Sequence, residues 1–167
     1  GLIAEMTYKE VSRAYPQVLT LDEFLAFAVK SALVPFHTWL PDAQGAAPTF
    51  AAVTLGIKVG AYAILRFAIP LFPAAAMEPT VRGTILVLSV IAIVYGALLA
   101  MSQRDMKRMV SYSAISHLGF IMLGCFALTQ QAVQGAVVTI VNSGISTAAL
   151  FLLVGMLEDR RGTTDMD

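Results

Sequence analysis

Five long apolar stretches constrain the fold of this chain more than any other feature of its sequence. Each is close to the roughly 17 to 25 apolar residues that a helix needs to cross the hydrocarbon core of a bilayer. The stretches cover residues 24–40, 48–72, 84–102, 109–128 and 133–157. With 57% apolar and 13% charged residues and a mean hydropathy of +0.75, the composition lies far from that of soluble proteins. The sequence therefore predicts an all-α, polytopic membrane bundle of five transmembrane helices joined by short loops.

The segments that flank these stretches predict the rest of the domain organisation. Residues 1–23 are expected to form a polar extramembrane segment, and residues 158–167 a tail on the cytoplasmic side. A signal peptide has a basic region followed by an apolar core. The residues after Gly1 do not show this pattern, so they do not resemble a signal peptide. The odd number of helices and the first residue, which is not methionine, indicate a piece of a larger protein.

The basic residues of the loops predict the orientation, because cytoplasmic loops carry the excess of Lys and Arg. The loop after the third stretch holds Arg104, Lys107 and Arg108, and the tail holds Arg160 and Arg161. The segments on the opposite side are longer and more acidic. We therefore expect the first helix to begin outside and the tail to lie on the cytoplasmic side.

Several classes of chemistry have no support in the sequence. The single cysteine, Cys125, lies in an apolar stretch and is interpreted as a buried, unreactive thiol. No CxxC, HExxH, GxGxxG or Walker pattern occurs, so no metal, nucleotide or other cofactor bound by this chain is predicted. A formal net charge of zero offers no basic surface to nucleic acid. The expected partners are the lipid bilayer and other membrane proteins.

Two lysines, Lys30 and Lys58, lie within predicted membrane helices, and none of the five stretches contains a carboxylate to neutralise them. A charged side chain at the bilayer centre costs about 2.5 to 3.5 kcal/mol on insertion scales, so its presence points to a functional site. Lys58 is the eleventh of 25 residues in its stretch, whereas Lys30 lies nearer an end. The acidic partner is therefore expected outside this chain.

Pro35 predicts a break in the first helix, since it cannot donate a backbone hydrogen bond and its ring clashes with the carbonyl group of Ser31. Lys30, the freed carbonyl and the Ser31 hydroxyl would then form a hydrated polar centre, as at the broken helices of transporters. The alternative is that Pro35 only kinks a packed helix and that Lys30 reaches outward to the membrane surface. His37 and Trp39 mark the inner end of this helix, with Trp39 as an anchor at the membrane surface.

Further polar side chains lie inside the predicted helices. Histidine titrates near neutral pH, and His117 follows Ser113 by one helical turn, so it is either a proton relay or a hydrogen-bonding residue between helices. Tyr62, one turn after the second lysine, either passes hydrogen bonds or packs. Asn142 and Ser143 are secondary candidates for holding water in the fifth stretch.

Three runs of sequence carry a resemblance to a known family. They are VPFHTWLPDA at residues 34–43, KVGAY at residues 58–62 and DMKRMVSYSAISHLGF at residues 105–120. In this order and at this spacing they resemble the antiporter-like subunits of respiratory complex I. The resemblance covers most of the chain from about Phe24 onward and fits the M-type branch best, the counterpart of mitochondrial NADH dehydrogenase chain 4.

The resemblance implies that these helices correspond to the seventh through eleventh of a fourteen-helix subunit with a proton path along the membrane midplane. It aligns Lys30 with a lysine on a broken helix that pairs with a glutamate from an earlier helix. It also aligns Lys58 with the central lysine and His117 with the relay histidine. Gln44 and Ser143 stand where this family commonly has histidines, so the sequence departs from the pattern there.

Together these features predict a membrane subunit, or a fragment of one, that moves protons through a lysine, histidine and water relay in NADH:quinone oxidoreductase. NADH and quinone would be used by other subunits, and this chain would be a non-redox part of the translocase. The complex would lie in a bacterial inner membrane or an equivalent energy-transducing membrane. One alternative is a subunit of a multisubunit sodium/proton antiporter or a membrane-bound hydrogenase. Another is a non-transporting membrane scaffold whose lysines only bind partner helices or lipid headgroups.

Overall fold

The computed structural model describes residues 29–54, 57–71 and 76–166 of the chain. Seven α-helices are assigned in these residues, and a π-helical turn at Ile64–Ala68 joins the third to the fourth. The helices are α1 (Trp39–Ala46), α2 (Thr49–Thr54), α3 (Ile57–Ala63), α4 (Ile69–Leu71), α5 (Pro79–Ser102), α6 (Met106–Ala127) and α7 (Gln130–Arg161). No strand is assigned in this part of the chain, which confirms the predicted all-α fold.

Four helical segments in the described residues are long and apolar enough to cross a membrane: Thr49–Ala68, Pro79–Ser102, Met106–Ala127 and Gln130–Arg161. They correspond to the second to fifth apolar stretches. The start of the first stretch, residues 24–28, lies outside the described residues. Within its remainder the backbone leaves the helical conformation over residues 31–38, which confirms the predicted break near Pro35.

The long helices begin and end where the sequence supplies capping groups. Pro79 opens α5 at a position where its missing N–H is not needed. The carboxylate of Asp105 caps α6 by accepting a hydrogen bond of 2.9 Å from the backbone N–H of Arg108. Thr129 caps α7 in the same way, and Gly162, with φ +72°, ends that helix in the left-handed conformation that glycine adopts without strain.

Helix α6 is the centre of the bundle. It packs most extensively on α5 and next on α7, and it also contacts α1 and α3. The side chains of Ile115, Leu118, Ile121 and Met122 are buried on it, and the Cys125 thiol is buried with them as predicted. By contrast, α5 and α7 leave long apolar faces exposed.

Small residues let α5 and α6 approach closely. A Cβ atom on Gly96 would lie 2.9 Å from the backbone nitrogen of Ser116, and one on Gly119 would lie 2.8 Å from the carbonyl oxygen of Ser89. Small residues at such crossings are typical of membrane helices, whose association depends on close packing. The Ser116 hydroxyl strengthens this contact by donating to the carbonyl of Ile93 at 2.9 Å.

The loop between α5 and α6 meets the tail that follows α7. The backbone N–H of Met106 donates to the carbonyl of Thr164 at 3.0 Å, and that of Met166 donates to the carbonyl of Arg104 at 3.0 Å. An isolated β-bridge joins Asp105 to Asp165. The two basic segments from which the orientation is predicted therefore lie at the same end of the bundle.

Candidate functional site

The helical conformation ends at Lys30, and eight non-helical residues, 31–38, precede α1. The carbonyl oxygen of Val29 accepts two hydrogen bonds there, from the backbone N–H of Ala32 and from the indole Nε1 of Trp39, each at 3.0 Å. The indole thus stabilises the break from within the protein, a contact that the sequence does not reveal. A role of Trp39 as a membrane-surface anchor stays a prediction.

Lys30 and Ser31 are neighbours in sequence but differ in environment. The Lys30 side chain is exposed, whereas Ser31 is fully buried and its hydroxyl has no hydrogen-bond partner among the described residues. A buried hydroxyl of this kind usually forms a hydrogen bond with an ordered water molecule or with another protein group. The break therefore combines the exposed ammonium group of Lys30 with the buried hydroxyl of Ser31, which has no hydrogen-bond partner among the described residues.

Gly60 brings α3 against the break. A Cβ atom at this position would lie 2.8 Å from the backbone nitrogen of Ser31 and 2.9 Å from its Cα, so only glycine permits this approach. Lys58 lies two residues before Gly60 on the same helix. The two parts of the sequence that carry the membrane lysines are therefore in direct backbone contact.

Lys58 is the most unusual charged group of the described residues. Its Nζ atom is buried and has no hydrogen-bond partner within the described part of the chain. Helix α3, which carries Lys58, contacts α6, which carries His117. An ammonium group removed from water is costly unless it is hydrated or paired, so this position requires one or the other.

His117 and its hydroxyl-rich neighbours divide into two groups. The imidazole is exposed on α6, and Ser113 one turn earlier is half-buried. Ser111 is buried, and its hydroxyl donates to the carbonyl of Lys107 at 2.8 Å within the same helix. The hydroxyls of Ser111 and Ser116 thus both donate to backbone carbonyls. The roles of His117 and Ser113 in proton transfer stay predictions.

The secondary candidates are distributed over three elements. His37 is buried, with its ring edge-on to Tyr95 at a centroid distance of 5.2 Å and an interplanar angle of 89°. Tyr62 is exposed, as is Asn142 on α7. Ser143 is buried, and its hydroxyl donates to the carbonyl of Thr139 one turn earlier. The proposed roles of these residues in transfer stay predictions.

An ion pair between a buried lysine and a partly exposed glutamate is the feature that sequence reasoning missed. Lys107, interpreted as a loop cation, is 4% exposed, and its Nζ lies 2.8 Å from Oε2 and 3.0 Å from Oε1 of Glu158. The same Nζ donates to the carbonyl of Ala47 at 3.3 Å. The sequence contained a clue to this ion pair. Lys107 lies in the first turn of one helix and Glu158 in the last turn of the next, so antiparallel packing brings the two residues to the same end of the bundle.

Two further contacts connect α1 to its surroundings. Arg108 forms an exposed ion pair with Asp42 at 3.1 Å. Gln44 is buried, and its amide nitrogen donates to the carbonyl of Ala52 at 3.3 Å, while its carbonyl oxygen has no partner among the described residues. Within residues 29–54, 57–71 and 76–166, no group of three or more His, Cys, Asp or Glu side chains is placed to hold a metal ion.

The chain matches, over residues 4–167, the family described as NADH:quinone oxidoreductase/Mrp antiporter, TM. The chain belongs to this family. It is 48% identical over 152 residues to NADH-quinone oxidoreductase subunit M of Pseudomonas aeruginosa, covering 89% of this chain and 30% of that protein. The chain thus spans about a third of the length of such relatives. Membership of the family and the apolar helices identify an integral membrane protein of an energy-transducing membrane.

Two solved structures show the same arrangement of helices. Respiratory complex I from Thermus thermophilus with bound NADH matches with a TM-score of 0.78 and 38% identity, over 85% of this chain and 31% of the matched chain. The membrane-bound sulfane sulfur reductase, an archaeal respiratory membrane complex, matches with a TM-score of 0.77 and 29% identity, over 84% of this chain and 29% of the matched chain. The family fold is therefore shared by membrane complexes with different redox partners.

Proposed function

We propose that this chain is the central part of a proton-translocating subunit of NADH:quinone oxidoreductase and that Lys58 passes protons to His117. The observation that carries the proposal is the buried Nζ of Lys58, which has no hydrogen-bond partner among the described residues and lies on a helix that contacts the helix of His117. A membrane cation without a protein partner is expected where protons or ions move, because packing alone would select an apolar side chain.

The geometry at the helix break supports an earlier step of the proposed path, in which a proton passes from Lys30 to Lys58. The Lys30 side chain is exposed, so it is open to the glutamate from an earlier helix that the resemblance implies. A change in the charge opposite Lys30 would alter its affinity for a proton. The Ser31 hydroxyl lies against Gly60, next to the helical turn of Lys58, and both the hydroxyl and the ammonium lack protein partners within the described residues. Water at these two groups would connect Lys30 to Lys58.

The second half of the proposed path leads outward from His117. Its exposed imidazole presents two ring nitrogens, one of which accepts a proton while the other releases one. Helix α6 packs on α7, whose middle carries the polar side chains of Asn142 and Ser143. We propose that these two side chains hold water in this part of the path.

The proposal assigns the redox chemistry to other parts of the complex. The curated relatives are named as subunits of NADH-quinone oxidoreductase, so NADH and quinone are the substrates expected for the assembly. This chain would bind neither. The exposed apolar faces of α5 and α7 would contact lipid, the rest of the subunit and neighbouring membrane subunits.

A second candidate function is ion exchange in a sodium/proton antiporter or a related membrane complex. It is favoured by the family description, which includes Mrp antiporters, and by the similarity to the sulfane sulfur reductase complex. Transport that depends on sodium would support this alternative. Proton transport that is unaffected by substitution of either membrane lysine would support the non-transporting scaffold.

The proposal is tested by Lys58→Ala in the full-length subunit, assembled in its complex. We expect NADH oxidation to continue while proton transport is lost, because the carrier at the centre of the path is removed. Val59→Ala on the same helix, at an exposed position, is the matched control and should transport protons normally. Unchanged proton transport by Lys58→Ala would overturn the assignment.

A further inference from the structure

Four segments of the chain meet at one polar cluster, which consists of Lys107, Glu158, Thr49 and the carbonyl group of Ala47. Lys107 contacts both oxygens of Glu158 and donates to Ala47. Glu158 also accepts a hydrogen bond of 3.2 Å from the hydroxyl of Thr49. The cluster therefore joins the end of α7, the start of α6, the start of α2 and the link between α1 and α2.

The helix ends explain why these two charges occupy these positions. Lys107 lies in the first turn of α6 and Glu158 in the last turn of α7, so each charge is at the unfavourable end of its own helix dipole. Because the two helices are antiparallel, each charge lies beside the favourable end of the other helix. The ion pair therefore stabilises the pairing of these two ends specifically and gives no comparable stabilisation to a shifted arrangement.

Close packing brings the third segment into the cluster. A Cβ atom at Gly155, one turn before Glu158, would lie 2.9 Å from the hydroxyl oxygen of Thr49 and 3.0 Å from its Cβ. Only glycine allows the start of α2 to lie this close to α7. Beneath the cluster, Ala52, Phe151 and Val154 form a small apolar core that excludes water from one side of the pair.

Both residues of the proposed relay lie on segments that begin at the cluster. Lys58 follows Thr49 by nine residues along the chain, and His117 follows Lys107 by ten residues in α6. Helix α3, which carries Lys58, contacts α6, which carries His117. The placement of α2 and α3 against α6 therefore sets the position of Lys58 relative to His117.

We propose that the Lys107–Glu158 pair is a positioning device that fixes the α2–α3 segment relative to α6 and thereby sets the position of Lys58 relative to His117. Lys107 and Glu158 touch neither relay residue and act only through the helices they join. The inference rests on the proposed relay, because its consequence is the efficiency of transfer between the two side chains.

The experiment uses the assembled complex with Lys107→Met and Glu158→Leu combined, since removing both charges leaves no buried charge without a partner. We expect the complex to assemble and oxidise NADH, but to move fewer protons per NADH. The matched control combines Arg160→Met and Asp159→Leu, which removes one charge of each sign from exposed positions at the same helix end. The control should keep the normal proton ratio.

A geometric readout separates positioning from general stability. Lys58→Cys and His117→Cys, introduced together in a Cys125→Ala background, can be joined by a short bifunctional thiol reagent. We expect the cross-linking yield to fall when the cluster charges are removed and to stay unchanged in the control. An unchanged yield together with a normal proton ratio would show that the pair only stabilises the fold, and it would overturn the inference.

Thr49 provides a second test that does not depend on the double variant being able to fold. Thr49→Val removes the hydroxyl and keeps the shape, whereas Thr49→Ser keeps the hydroxyl. We expect a lower proton ratio for Thr49→Val and rescue by Thr49→Ser. Equal, normal ratios for both would count against positioning. If Lys58→Ala itself transports protons normally, the proposed relay fails; if only the cluster variants do so, the relay stands and the positioning role fails.

Discussion

The Cα atom of Gly60 lies directly against the backbone of Ser31, so the helix that carries Lys58 is held against the break that follows Lys30. No side chain fits between these two residues without moving one of the segments. This contact connects the two membrane lysines more directly than their separation in sequence suggests.

Gly60→Ala should therefore separate α3 from the break. An added methyl group within 3 Å of the Ser31 backbone is expected to destabilise the protein by about 1 to 3 kcal/mol. It should also lower the number of protons moved per NADH. Thermal unfolding and proton transport of the assembled complex measure the two effects. Gly83→Ala, where a Cβ meets nothing within 4 Å among the described residues, is the control and should be neutral or slightly stabilising.

Lys58→Met should raise the stability of the protein, in contrast to Gly60→Ala, and should abolish proton transport. The buried ammonium has no partner among the described residues, and replacing it with an apolar side chain of similar length removes the cost of a membrane charge. We expect stabilisation of up to about 3 kcal/mol together with loss of proton transport. A clear decrease in the unfolding temperature would mean that the full protein pairs this ammonium strongly.

Trp39→Phe should destabilise the helix break, and because Trp39 also packs against the apolar core, the smaller ring should reduce that packing as well. The substitution removes the indole N–H that donates to the carbonyl of Val29, and a hydrogen bond of this kind contributes about 0.5 to 1.5 kcal/mol. The measurement is the unfolding temperature of the complex. Tyr95→Phe, which keeps the ring beside His37, is the control and should unfold like the parent. Equal stability of Trp39→Phe and parent would show that the indole contact is dispensable.

The sequence predicted the membrane class and the break because both depend on local chemistry. Apolar length alone identifies the spans, and Pro35 lacks the N–H that a continuous helix needs in any context. The approach of Gly60 to Ser31 could not be predicted, since it depends on how distant segments pack. Glycine in a membrane helix is compatible with a close contact and equally with open space, as Gly83 demonstrates.

Hydroxyl groups illustrate a second limit of the sequence. Ser143 is a sequence-based candidate for holding water, yet its hydroxyl, like that of Ser111, donates to the carbonyl one turn earlier in its own helix. Such internal hydrogen bonds are available to any helical serine, so the sequence cannot show whether the hydroxyl turns outward or back. The position of Lys107 in the sequence was similarly ambiguous. A basic residue in a predicted loop is usually solvated, but Lys107 is buried.

Replacing Arg108 and replacing Lys107 should have clearly different effects on the stability of the protein. Arg108 forms an exposed pair with Asp42, whose contribution to stability is expected to be at most about 1 kcal/mol and to weaken in high salt. Lys107 is buried and Glu158 is about one-third exposed, so Lys107→Met leaves a partly solvated carboxylate without its cation and should destabilise the protein by about 1 to 3 kcal/mol. Thermal unfolding of Arg108→Gln and Lys107→Met at low and high salt provides the comparison. Similar losses that are equally sensitive to salt would show that the Lys107 pair is solvated in the full protein, and the argument for a specific contact between the ends of α6 and α7 would then fail.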